Sequence, residues 1–211
     1  VALCVAVGSL AGTLLVVRLG NKVVVTAGLS SLAIAYAWIS TASAATPYAE
    51  IAAQMVFLGL GMGLTSAPAT ESIMGAVQVE KAGVGSAVND ATREVGGTLG
   101  VAVIGSVFAS LYAARIEDLR RTVPERLVDR AAESIGAASA VADRLPGAPA
   151  AVLRAAADAG FFAGLQAGCL VAAGVALVGA VTVALTLPAR PREVPADPPV
   201  PVRAQVSGGP G

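Results

Sequence analysis

The sequence predicts an all-α polytopic membrane protein, and two observations carry that prediction. Apolar residues are gathered into five long runs without a single charge, at 1–17, 23–49, 51–70, 95–114 and 159–189. Each reaches or approaches the ~20 residues needed to cross ~30 Å of hydrocarbon as a helix. Half of the chain's charged residues crowd into one stretch, 115–158. A soluble, alanine-rich helical bundle is the competing reading, but its helices would carry a charge every turn or so to solvate their outer faces. Between Lys22 and Glu50 there is none.

Taken in order, the expected spans are about 1–17, 23–42, 48–77, 84–112 and 160–188, forming one transmembrane unit over 1–188. A polar outer loop at 113–159 and a disordered cytoplasmic tail at 189–211 complete the chain. The first span starts at Val1, without the basic leader and small-residue cleavage site of a signal peptide, so further spans are expected upstream. Orientation follows from basic residues in short connections. Arg18 and Lys22 flank the first connection, Lys81 the third, and Arg190, Arg192 and Arg203 lie in the tail, whereas the second connection has no Lys or Arg. With five spans, the first and third connections and the tail share one side, which is expected to be cytoplasmic. Tyr36, Trp38 and Tyr48 then fall at the outer ends of spans two and three, where amphipathic rings favour the headgroup level.

The outer loop balances acidic and basic residues. Thr122, Pro124 and Glu125 resemble a capping box, and Leu127, Ala131, Ile135 and Ala138 follow at helical spacing. One or two amphipathic helices outside the membrane are expected there. The tail, with Pro191, Pro195, Pro198, Pro199 and Pro201, reads as partly polyproline.

Several functions are unsupported by composition. Zero net charge gives no reason to expect a nucleic-acid partner, and the absence of histidine weakens any zinc site or histidine relay. Cys4 and Cys169 both lie in apolar runs, where a thiol behaves as a small hydrophobe. No hydroxyl sits beside a base, no carboxylate pair stands free of arginine, and no glycine-rich loop follows a strand, so no enzymatic centre, metal or cofactor is expected.

Polar groups inside the spans are the functional candidates. Asn89, Asp90, Arg93 and Glu94 interrupt the start of span four. Three central charges cost up to ~10 kcal/mol to insert, against roughly ~5 kcal/mol returned by the large apolar residues of that span, so partners or water are required. Asp90 and Arg93 are three apart and Asn89 and Arg93 four apart, so they can satisfy one another along one helix edge. Alternatively, Glu71, near the cytoplasmic end of span three beyond the helix-loosening Pro68, faces Arg93 across neighbouring helices as a gate or a proton-responsive pair. Of the carboxylates, Glu71 and Asp90 are the candidates for a proton or substrate path. Glycine is the other signal: Gly59, Gly61 and Gly63 in span three, Gly96, Gly97 and Gly100 in span four, and Gly164 and Gly168 in span five. Such residues let helix backbones approach closely. The Gly59–Gly63 cluster ahead of Pro68 also suits helix bending or the lining of a cavity.

The stretch from Gly59, GLGMGLTSAPATESIMGAV, and the stretch from Lys81, KAGVGSAVNDATREVGGTLGVAVIGSV, resemble the major facilitator superfamily. More closely they resemble its fourteen-span drug:proton antiporter branch, the EmrB/QacA-type exporters, and the likeness extends over nearly the whole chain. The resemblance implies that the five spans are the last five core helices, most of the C-terminal half of that fold. Arg18-Leu-Gly-Asn-Lys22 would then echo the family's Gly-x-x-x-Asp-Arg-x-Gly-Arg-Arg/Lys loop, with Arg18, Gly20 and Lys22 matching. Thr13, Val17 and Asn21 replace its Gly, Asp and penultimate basic positions, so an Asp-based charge relay cannot operate, though Arg18 and Lys22 can still anchor a cytoplasmic interface. By the same resemblance span three lines the central cavity, placing Glu71 and the Gly59–Gly63 cluster near the substrate path. Span four meets the other half of the transporter, where Asp90 and Arg93 suit a gate.

The expected function is proton-coupled efflux of drugs or other lipophilic or cationic small molecules across a bacterial cytoplasmic membrane, with lipid, protons, substrate and a missing N-terminal half as partners. The alternatives are a major facilitator transporter of a metabolite or nutrient, and a non-transporting fragment that scaffolds or dimerises through its glycine faces.

Overall fold

A computed structural model describes residues 1–75 and 77–187. The tail expected at 189–211 lies outside the described residues. The chain forms α1 (Ala2–Leu19), α2 (Asn21–Ile39), α3 (Tyr48–Gly75), α4 (Ala82–Glu117), α5 (Glu125–Ala132), α6 (Ile135–Ala142) and α7 (Ala148–Thr186), with single 3₁₀ turns at Val79–Lys81 and Asp118–Arg121. Five of these helices, α1, α2, α3, α4 and α7, are long and apolar enough to cross a membrane. No strand occurs among the described residues. The protein is an all-α, multi-pass membrane protein.

Local chemistry explains the breaks. α1 and α2 are separated by Gly20 alone, whose φ of 82° is a conformation that a side chain would strain. Its N–H closes α1 on the Val16 carbonyl, and Arg18 in the last turn complements the negative end of that helix. α3 runs through Pro68 to Gly75. Proline cannot donate to the carbonyl four residues back, and the hydroxyls of Thr65, Thr70 and Ser72 donate to the carbonyls of Gly61, Ser66 and Pro68 around it.

The five long helices are arranged in a file, α1–α3–α2–α7–α4. Glycines set the first two seams. A Cβ on Gly59 would lie 2.7 Å from the Cys4 Cβ, one on Gly8 would lie 2.8 Å from the Leu60 carbonyl oxygen, and one on Gly63 would strike the backbone of Val5 and Ser9. Those pairings run in the same sequence direction, so α1 and α3 are parallel. Pro68 is buried on the same side, against Gly12 of α1, and on the opposite side of α3 Gly61 lies against Gly28 and Leu32 of the antiparallel α2. A helix backbone or side chain thus meets each of Gly59, Gly61 and Gly63 in this structure. At the last seam Gly160, Gly164 and Gly168 of α7 receive Tyr112, Phe108 and Ile104 of α4, the close packing expected for span five.

The polar stretch after α4 is a folded cap. Tyr112 and Ile116 of α4, Val128 and Ala131 of α5, Ala138 and Val141 of α6, and Leu153 and Ala157 of α7 share one buried core with Val123. The apolar stripe read from the sequence contributes to it: Ala131 and Ala138 are buried, with Leu127 and Ile135 packed alongside. α7 starts at Ala148, ahead of the expected span, because Arg154 and Asp158 end the apolar run but do not end the helix. One sequence reading needs correction. The capping box at Thr122 does not form. Thr122 instead closes the 3₁₀ turn, and α5 starts after Pro124 without a side-chain cap. Side-chain capping occurs one helix later, where Ser134 Oγ accepts from the Ala137 N–H at 3.1 Å.

Candidate functional site

The candidate polar residues lie on the half of α4 remote from the cap. This part of the helix begins at Ala82, where the side chain of Val77 covers the buried Gly85. Beyond that contact α4 has few neighbours. Asp90, Arg93, Glu94, Gly96 and Gly97 are exposed, and Asn89 and Gly100 are half-buried. A Cβ on Gly96, Gly97 or Gly100 would meet nothing within 4 Å. Arg93, Gly97 and Val101 recur every fourth residue, as do Glu94, Thr98 and Ala102. These six residues line an open depression of about 610 Å³ along the helix.

Neither pairing read from the sequence forms. Asp90 and Arg93 make no ion pair, and Glu71, exposed in the penultimate turn of α3, does not reach Arg93; the ion pairs among the described residues all lie in the cap. The reasons are physical. α4 stands off from α3 along this stretch, and an exposed pair three residues apart on one helix gains only ~0.2–0.5 kcal/mol. At the α1–α2 junction, Arg18 is exposed while Gly20 and Lys22 are half-buried. Asn21, which stands where the family loop has a basic residue, is 5% exposed, and its Oδ1 has no hydrogen-bond partner.

One polar cluster was missed by sequence reasoning. At the cap end of α2 and α3, the Trp38 indole N–H donates to Glu50 Oε1 at 3.0 Å. Gln54, 1% exposed, donates to the Trp38 carbonyl at 3.4 Å, and the Trp38 ring meets Phe57 edge-on at 5.9 Å. Trp38 was legible as an interfacial anchor, but its bonding partners were not. The available signal was Gln54 lying one helical turn after Glu50 in an otherwise apolar run.

No protein-family model matches the chain. Individual relatives do. The multidrug efflux pump LfrA of Mycolicibacterium smegmatis is 36% identical over 135 residues, covering 64% of this chain and 27% of the pump. The tetracenomycin C resistance and export protein of Streptomyces glaucescens is 34% identical over 155 residues, covering 69% of this chain and 28% of that protein. The methyl viologen resistance protein SmvA of Salmonella typhimurium is 30% identical over 139 residues, covering 66% of this chain and 28% of that protein. The chain thus spans little more than a quarter of the length of these curated relatives. It belongs with the major facilitator-type multidrug efflux and resistance proteins.

Proposed function

We propose that this chain is the C-terminal part of a proton-coupled exporter of lipophilic or cationic small molecules, seated in a bacterial cytoplasmic membrane with the cap on the outer side. The observation that carries the proposal is the contrast along the file of helices. α1, α2 and α3 fill their glycine notches with one another, whereas the notches at Gly96, Gly97 and Gly100 of α4 are empty over a stretch that also carries Asp90, Arg93 and Glu94. Charges at membrane depth require partners or water, and glycine stripes suit another helix. The missing N-terminal half of the transporter supplies both.

In this reading α4 lies at the contact between two halves that rock against each other. Asn89, Arg93 and Glu94 form a gate whose partners change between the inward-open and outward-open states. Glu71 and Asp90 are the carboxylates available to exchange a proton for the substrate, and protonation supplies the free-energy difference between states. Arg18, Gly20 and Lys22 hold the cytoplasmic edge of the half. The free face of α4 would also accept a second copy of the chain, and a scaffold of that kind would not transport.

The test is export of a fluorescent lipophilic cation by the complete protein in energised inverted membrane vesicles. The expected result is accumulation that collapses when an uncoupler dissipates the proton gradient, and that is lost in Glu71→Gln or Asp90→Asn at normal membrane levels. Accumulation that persists without a gradient would remove proton coupling. Wild-type behaviour of both variants would remove these carboxylates as carriers.

A further inference from the structure

α4 packs extensively against another long helix only near the cap, and its opposite end meets little beyond Val77 of the connection from α3. Its contacts with α7 run through Ile104, Phe108, Tyr112 and Arg115 against Gly168, Gly164 and Gly160, and the two helices then diverge, since Gly100 and Gly97, the next positions on the same side of α4, have no neighbours. The anchored end is unusually well held. Phe108 stacks on Tyr112 and meets Phe161 edge-on. The buried Tyr112 hydroxyl donates to the Ala131 carbonyl of α5 at 3.1 Å. Ile116, Val128 and Leu153 are each 0% exposed and share the cap core. Around that core Arg120 donates to Glu125 and Asp129 at 2.8 Å each and approaches Glu117 at 3.5 Å, while Arg154 pairs with Asp143 and ties α7 to the end of α6. An exposed pair alone contributes little, but one guanidinium in the 3₁₀ turn bridging a carboxylate of α4 and two of α5 constrains how those elements sit.

We infer that the cap is a clamp that fixes the tilt of α4 against α7, and so positions the Asn89–Glu94 segment from a distance. At 1.5 Å per residue Tyr112 and Arg93 are ~28 Å apart along a continuous helix, so a change of ~10° at the clamp displaces the charged segment by ~5 Å. Tyr112, Arg120 and Val128 are positioning residues in this arrangement. They need not touch anything that is transported, and the inference holds whatever the protein carries.

The experiment uses the complete protein in lipid nanodiscs, with Cys4→Ser and Cys169→Ala, and spin labels on Thr98→Cys and Val178→Cys, both exposed in this structure. Pulsed electron resonance reads the distance between the halves of α4 and α7 remote from the cap, with α7 held on α2 as the reference. Val128→Asp places a charge in the cap core, and cap opening is monitored independently as cleavage by trypsin at the cap arginines, expected to be ~10-fold faster. The clamp requires the distance distribution to broaden and its mean to shift by several ångströms when cleavage accelerates. An opened cap with an unchanged distribution would overturn the inference. Should Val128→Asp fail to accumulate, Arg120→Gln and Tyr112→Phe are the graded versions. Undiminished trypsin resistance in both would equally contradict the clamp, since the groups assigned to hold it would then hold nothing. None of these readings requires transport, so they are independent of the proposed function.

Discussion

Gly59, Gly61 and Gly63 of α3 and Gly96, Gly97 and Gly100 of α4 are similar clusters of small residues in similarly apolar helices, yet their surroundings are opposite. A Cβ on any of these three glycines of α3 would come within about 3 Å of α1 or α2, whereas one on any of the three of α4 would meet nothing within 4 Å. A glycine stripe in a membrane helix therefore says that a helix is meant to come close, without saying which one. On α3 the partner is within this chain. On α4, where the exposed Arg93 and Glu94 border the same stripe, the partner is proposed to be the rest of a longer transporter.

The largest effect should come from filling a seam already closed. Gly63→Leu would drive a side chain into the backbone of Val5 and Ser9, which cannot yield as a flexible side chain could. Overpacking of this kind costs ~1–3 kcal/mol or more, and the expected outcome is loss of folded protein in membranes, measured by monodisperse recovery after extraction. Next is Gly97→Leu on the open face. It should leave thermal stability of the five-helix unit unchanged or slightly raised, since leaving glycine gains up to ~1 kcal/mol in a helix interior, but should abolish export by the complete protein. Normal export by this variant would show that the open face of α4 needs no closely packed partner. Gly164→Val lies between these extremes. A Cβ there would lie 2.7 Å from a ring carbon of Phe108 and 3.0 Å from its carbonyl oxygen, so the ring can move but the carbonyl cannot, and a melting point lowered by less than for a Gly63 variant is expected. The smallest effect belongs to Trp38→Phe, which removes the indole bond to Glu50. A hydrogen bond to a charged group contributes ~1.5–3 kcal/mol at most and less near water, so a modest fall in the melting point is expected.

What could be read from the sequence follows the same division. The spans were legible because lipid excludes charge, and the runs bounded by Lys22 and Glu50, or by Glu94 and Arg115, record that exclusion directly. The extension of α7 back to Ala148 was not legible in that way: outside lipid a helix tolerates Arg154 and Asp158, so charge stops marking where it starts. Gly59–Gly63 were recognised as contact residues, but which neighbour filled them depends on the order of helices in the file, which no local pattern encodes. Asp90 and Arg93 were close enough in sequence to pair and do not, because the gain from an exposed pair is small and no described helix presses them together. The Trp38, Glu50 and Gln54 cluster joins two helices whose facing register is fixed by glycine seams far from it.

The most direct measurement places a photo-crosslinking residue at position 101, within the open depression on α4 and exposed here, in the complete protein in native membranes. The expected result, if the proposed N-terminal half packs here, is a crosslink to another segment of the same polypeptide that lies before Val1 in the complete protein. Crosslinking to lipid alone, or to a second copy, would contradict it.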